Sequence, residues 1–244
     1  MMNKYTASTY GDSVSGIYDQ LYGDIDQNSV STLIDLARGG RALELGIGTG
    51  RIALPLYHAG LEIHGIDASH AMTDRLKAKP GGQDIPILHG DFAEFNLDLK
   101  FDLIYVVFNT FFGLQTQSDQ VECFINIANH LSPNGVFVIE AFVPDMSRYD
   151  DNQTVRMVNI TDDDLRFEVT QIDPLKQQVS SKLIHITESG TRMYPVKLRY
   201  AWPAELDLMA KIAGLEIRHR WGSWQKNELT IKDEQHISVY SLAE

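Results

Sequence analysis

The chain has 244 residues, 43% of them hydrophobic, enough for one sizeable domain with a decorated core. Its 21 Lys and Arg against 33 Asp and Glu leave a net charge of −12, which disfavours nucleic acid as a partner unless the cations gather in one patch. No apolar run reaches ~18 residues, MMNKYTASTYGD lacks the apolar core of a signal peptide, and the lone Cys123 excludes a disulfide framework, so a cytoplasmic location away from any membrane is expected.

Residues 1–28 are rich in aspartate and tyrosine (Tyr5, Tyr10, Tyr18, Tyr22) and poor in aliphatics. They are expected to form an N-terminal lid. The spacing of Val30, Leu33, Ile34 and Ala37 predicts a helix over 29–37. A strand (41–45), a helix (51–59) and a second strand (61–67) follow. A helix over 69–78 stops at Lys79-Pro80-Gly81-Gly82, and short apolar runs predict strands at 85–88 and 101–108. Val121, Phe124, Ile125, Ala128 and Leu131 keep helical spacing over 118–131. Ser132-Pro133-Asn134-Gly135 breaks that helix, and 135–142 is a fifth strand. Five alternations of strand and helix predict an α/β, doubly wound, mostly parallel sheet over a core at 29–143.

After Pro144 the texture changes. Segments 154–160, 165–172, 178–187 and 192–201 are rich in Val, Ile, Thr and Tyr and separated by turn clusters. They predict an antiparallel β insertion over 144–201, serving as substrate cover or as the contact of a homodimer. Residues 202–244 return to a helix (203–213) and two strands (215–221, 236–241) that complete a seven-stranded sheet.

The stretch ALELGIGTGR, residues 42–51, puts glycines at 46, 48 and 50 after Glu44. A phosphate loop of the Walker type needs a Gly-Lys pair that is missing here. A dinucleotide fingerprint needs G-x-G-x-x-G, but Arg51 stands where its last glycine packs. The stretch instead resembles the E/D-x-G-x-G-x-G loop of class I S-adenosylmethionine-dependent methyltransferases. IHGIDAS (63–69), HGDFAEF (89–95), FDLIYVVFNTFFGL (101–114) and LSPNGVFVIEAF (131–142) look like that family's successive motifs, in its order. The resemblance covers roughly residues 15–143, and 201–222 resembles the family's last helix and strand. It implies a Rossmann-like fold, S-adenosylmethionine as cofactor, methyl transfer to N or O of a small-molecule acceptor, and no metal.

The resemblance also implies roles. Gly46, Gly48 and Gly50 would let backbone approach the methionine part of the cofactor, whose carboxylate suits the following helix N-terminus. Glu44 would receive the ammonium, or order the glycine turn. Asp67 would take the ribose hydroxyls, or cap the helix at 69–78. Asp91 and the Phe92 N–H would meet the adenine, flanked by Ala68 and Met72, with Met72 open to a plain core role. Phe108 and Asn109 would sit near the methyl group. Tyr18 would close over the cofactor, or staple the sheet edge. Asn109-Thr110-Phe111-Phe112 matches the ends of the Asn-Pro-Pro-Phe motif of certain amino-methyltransferases but lacks both prolines, so a cofactor-facing turn is the reading kept. The N-terminal segment and the insertion resemble those of amino-sugar N-methyltransferases. A catalytic residue is not legible; Glu140, His185 and Tyr194 are candidates, with Glu140 alternatively a carboxylate oriented by Arg199. A nicotinamide oxidoreductase, a nucleic-acid or protein methyltransferase and a non-catalytic cofactor binder stay open.

Overall fold

The computed structural model describes residues 5–243; residues 1–4 of the expected lid and Glu244 of the expected C-terminal pair lie outside the described residues. Seven strands form one sheet: β1 (Arg41–Leu45), β2 (Glu62–Asp67), β3 (Ile87–His89), β4 (Phe101–Val106), β5 (Leu131–Phe142), β10 (Leu215–Trp221) and β11 (Gln235–Leu242). Their order is β10-β11-β5-β4-β1-β2-β3. All neighbours run parallel except around β11, which is antiparallel to β5 and β10. Strand order reverses between β1 and β4, and such a reversal opens a crevice at the carboxyl ends of the strands.

Helices α3 (Gln27–Ala37), α4 (Ala53–His58) and α5 (His70–Lys77) cover one face of this sheet; α6 (Gln117–His130) and α7 (Pro203–Ile212) cover the other. Three of the helices start where a side chain takes an orphan N–H. Asp26 accepts from Asn28 N, Ser69 from Met72 N and Thr116 from Asp119 N. On the α6 side the core centres on Phe124, whose ring meets those of Phe111, Phe137 and Tyr240 edge-on at 5.3–5.7 Å. Both faces of β4 are buried, as its unbroken apolar run requires.

Four further strands, β6 (Gln153–Ile160), β7 (Asp164–Asp173), β8 (Gln178–Thr187) and β9 (Gly190–Arg199), pair antiparallel in sequence order as a separate sheet. Ahead of α3 lie two short helices, α1 (Thr9–Val14) and α2 (Tyr18–Tyr22). Three strand boundaries differ from the sequence expectation for a clear local reason. β4 stops at Val106, two residues early, because Phe108 and Asn109 turn into left-handed backbone (φ 58° and 65°). β3 shrinks to three residues behind a 3-10 turn at Gly82–Asp84. β5 starts four residues early, because Leu131 already pairs with Phe101 across an irregularity in the ladder.

Candidate active site

The carboxyl ends of β1, β2, β3 and β4 surround a cavity of about 130 Å³. Glu44, Gly46, Gly48, Asp67 and Ala68 line it, together with Met72, Asp91, Phe92, Phe108 and Tyr18. The structure thus brings together all but two of the residues the sequence placed at a cofactor. Gly50 faces away: a Cβ there would run into Leu76, so its glycine lets the loop pack on α5. Asn109 lies outside this cavity. Its Oδ1 accepts from Phe142 N at 2.7 Å, pinning the turn to β5.

Gly48 shows why the loop needs glycine. Its φ is +56°, and an added Cβ would sit 3.3 Å from Met72 Cε, facing the cavity. Asp67 holds the loop from the end of β2: Oδ2 accepts from Gly48 N at 2.7 Å and Oδ1 from Ser69 N at 2.8 Å. The cap of α5 is therefore Ser69, not Asp67. Burial pushes the Asp67 carboxyl up, and the two backbone donors pull it back. Glu44 is buried and accepts from the Tyr105 hydroxyl at 3.0 Å. Burial raises its carboxyl to about 8, against the Tyr105 hydrogen bond and the Arg51 charge. A cation entering beside it would restore the carboxylate.

One end of the cavity therefore carries a buried carboxyl that lacks enough nearby positive charge to ionise readily. The middle is an uncovered glycine cradle with Met72 and Phe92 beside it. The other end presents Asp67 and Asp91 as acceptors, Asp91 steadied by Ala93 N at 3.0 Å. This donor set fits a ligand with an ammonium at one end and hydroxyls and an amino group at the other, which is the chemistry of S-adenosylmethionine.

Sequence reasoning passes over three features of the site. The guanidinium of Arg51 stacks 4.7 Å from the centre of the Phe108 ring, which Tyr22 meets edge-on at 5.1 Å. The N-terminal helices are tied to the motif loops. Thr49 donates to Asp19, Lys79 bridges Asp19 at 2.7 Å and the Thr49 carbonyl at 2.8 Å, and Ser69 donates to Asp12 at 2.6 Å. Burial pushes the Tyr18 hydroxyl up to about 12, with Arg51 opposing it. The third feature is Trp224, whose ring N–H meets Glu140. Partners 30 or more residues apart leave no local pattern, which is why spacing does not reveal them.

The three catalytic candidates end in different places. Glu140 Oε2 accepts from Phe108 N at 2.9 Å and Oε1 from Trp224 Nε1 at 2.8 Å. Its orienting partners are those two, not Arg199, which pairs with Glu205 at 2.7 Å and with Gln120. Glu140 thus clamps the left-handed turn that carries Phe108. His185 bonds to Asp164 at 2.7 Å in the second sheet, and neither it nor the buried Tyr194 lines the cavities around the loop.

A second cavity, of about 440 Å³, shares Ala7, Tyr10, Tyr18, Asp91, Phe92, Phe108 and Thr110 with the first. Its remaining wall comes from the N-terminal segment (Tyr5, Thr6, Tyr22), from Asn109 and residues 113–119, and from β6, β7 and β9. It opens at Phe108 and Asn109 into a larger space of about 1020 Å³ under the second sheet.

A methyltransferase-domain family model matches residues 42–135. The cypemycin N-terminal methyltransferase of a Streptomyces species is 30% identical over 204 residues, 82% of either chain. The structure of the CcbJ methyltransferase from Streptomyces caelestis superposes with a TM-score of 0.92 at 34% identity, covering 98% of this chain and 100% of that one. The S-adenosylmethionine-bound amino pentose methyltransferase CalS10 of Micromonospora echinaspora shares the fold, with a TM-score of 0.68 at 18% identity over 98% and 99% of the two chains. The chain belongs to the class I S-adenosylmethionine-dependent methyltransferases. It is an enzyme of that family with S-adenosylmethionine as cofactor, and the nicotinamide and non-catalytic readings fall away. No helix among the described residues is long and apolar enough to cross a membrane.

Proposed function

We propose that this enzyme methylates an amine nitrogen of a small molecule received in the cavity beside Phe108. The observation that carries the reading is the junction itself: the glycine-loop cavity and the tyrosine-walled cavity share seven lining residues, Phe108 and Thr110 of the turn among them. A nitrogen acceptor is favoured by the relative that methylates the N-terminus of cypemycin. The −12 charge supports a small molecule over nucleic acid. The single cysteine supports a cytoplasmic setting.

When bound, S-adenosylmethionine supplies an electrophilic methyl group on sulfur. In this reading Glu44 receives the cofactor's ammonium, with its orientation set by Tyr105. Asp67 receives the ribose hydroxyls with the lone pairs that Gly48 and Ser69 leave free. Asp91 and the Phe92 N–H face the adenine between Ala68 and Met72. Tyr18, Arg51 and Phe108 close the side toward the acceptor. The segment ending at Tyr22 is a lid that excludes water from the transfer. A neutral amine needs only alignment with the reacting carbon, and alignment alone is worth several powers of ten in rate. The second sheet covers the acceptor side.

The test is to incubate the enzyme with methyl-labelled cofactor and a metabolite extract and to identify labelled products by mass. Labelled N-methyl small molecules are the expected outcome. Label confined to nucleic acid or to oxygen would overturn the proposal.

A further inference from the structure

Glu168 lies in β7 at the meeting of the 440 and 1020 Å³ cavities and lines both. Its position follows from strand register. Arg156, Glu168, Leu183 and Tyr194 stand opposite one another across β6, β7, β8 and β9, so they share one face of the second sheet. Thr170 and Ser181 form the next rung on that face. Both are buried, and their hydroxyls lie 3.0 Å apart. Ser181 donates to Glu168 Oε1 at 2.7 Å. A buried pair of hydroxyls thus aims one particular carboxylate into the cavity.

The second oxygen is barely engaged. Among the described residues Glu168 Oε2 meets only Arg156, at 3.3 Å, and the Arg156 side chain is 71% exposed. That pair is a weak competitor for the site. The cavity around the carboxylate is aromatic, walled by Tyr5, Tyr10, Tyr18 and Tyr22. Burial raises the hydroxyls of Tyr22 and Tyr149, and the negative charge of Glu168 adds to both, opposed at Tyr22 by Arg156 and Arg166 and at Tyr149 by Arg148. Glu168 is therefore within electrostatic reach of both walls. Asp91 and Asp119 are the other acids of the smaller cavity, and Lys197, its second cation, lies over the Tyr5 ring at 5.6 Å.

A half-free carboxylate among tyrosine rings is the chemistry that holds a cation. We propose that Glu168 anchors a positively charged group of the acceptor, and that the acceptor is a small molecule with a protonated basic group besides the nitrogen that takes the methyl. The two groups must differ, because a nitrogen held as ammonium has no lone pair to offer. The anchor deepens the acceptor-cavity reading above and rests on it. Glu168 is here a specificity-determining residue, on the opposite wall from the glycine loop.

The test uses the full chain saturated with S-adenosylhomocysteine and three probes of one shape: benzylamine, benzyl alcohol and benzoate. Affinities are read by calorimetry or ligand-observed NMR. The wild type is expected to bind benzylamine about tenfold more tightly than benzyl alcohol, and benzoate least. In Glu168→Gln the amide oxygen can still accept from Ser181, so the fold and S-adenosylhomocysteine affinity stay as in the wild type while the preference for benzylamine disappears. A preference that survives the substitution, equal binding of benzylamine and benzyl alcohol, or tightest binding of benzoate would overturn the cation anchor and leave the methyltransferase site standing. A wild type that does not bind S-adenosylhomocysteine would overturn the underlying site and the anchor with it.

Discussion

The two cavities that meet at Phe108 are built in opposite ways. The cofactor side is made mainly of short local pieces, residues 44–52, 67–72, 91–92 and 107–110, each following a parallel strand, with residues 7–18 closing it. Much of its work is done by backbone: Gly48 N and Ser69 N are fixed by Asp67, and the glycine cradle has no side chains to move. The proposed acceptor side draws on residues 5–22, 91–92, 108–119 and 156–198, and its chemistry sits on side chains of the N-terminal helices and of an antiparallel sheet. Backbone geometry tolerates little change, whereas alternate side chains on a sheet face can be exchanged without disturbing the ladder.

The comparison predicts its largest effect at the loop. Gly48→Val places a β-branched side chain at φ +56° in front of Met72. S-adenosylhomocysteine affinity should fall at least about a hundredfold, with a stability loss of about 1–2 kcal/mol from the left-handed backbone. Calorimetry beside a thermal melt checks both. Unchanged affinity would mean that the loop is not the cofactor cradle.

Asp67 should come next. Asp67→Ala removes the acceptor for two backbone donors and, in the proposed reading, for the ribose hydroxyls, so affinity should drop by about two orders of magnitude and the melting temperature should fall with it. Asp67→Asn keeps one acceptor and should fall between. Ala with normal affinity would remove the ribose role and leave only the loop-holding one.

At the seam the effect should divide differently. Glu140→Gln puts an amide NH₂ against either Phe108 N or Trp224 Nε1, where two donors now share one carboxylate. The left-handed turn loses a restraint it needs. The expected result is a kcat reduced by about tenfold with S-adenosylhomocysteine affinity within about threefold of wild type. Equal losses in both would place Glu140 on the cofactor side instead.

The smallest effect is one of pH. In the free enzyme Glu44 keeps its proton up to about 8, whereas an unfolded chain loses it near the ordinary 4.5. Between those values the folded state binds the extra proton, so this residue's contribution makes stability fall as pH rises. Glu44→Gln should flatten that slope in apo-protein melts. Binding of the cofactor's ammonium should release a proton near neutral pH. Calorimetry in buffers of different ionisation enthalpy would detect the release, and buffer-independent heats would exclude Glu44 as the ammonium's partner.

Fold class and the position of the glycine loop were legible because both are written locally. Apolar runs at 41–45, 61–67 and 101–106 recur between helical stretches, and three closely spaced glycines mark a close approach of backbone. Whether each glycine faces ligand or core was not legible. Gly48 and Gly50 differ by one turn of chain, yet one opens on the cavity and the other packs on Leu76. Spacing also left Glu140 beside Arg199 as a candidate pair, and packing gave it Trp224 and the Phe108 turn. Parallel strands with crossover helices are dictated by hydrophobic period, so the sequence by itself determined the sheet, the loop and the acids at its strand ends. Only the tertiary structure decided the acceptor wall, because bonds such as Asp19 to Thr49, and rungs such as Arg156, Glu168 and Tyr194, join residues whose proximity exists only once the strands have paired.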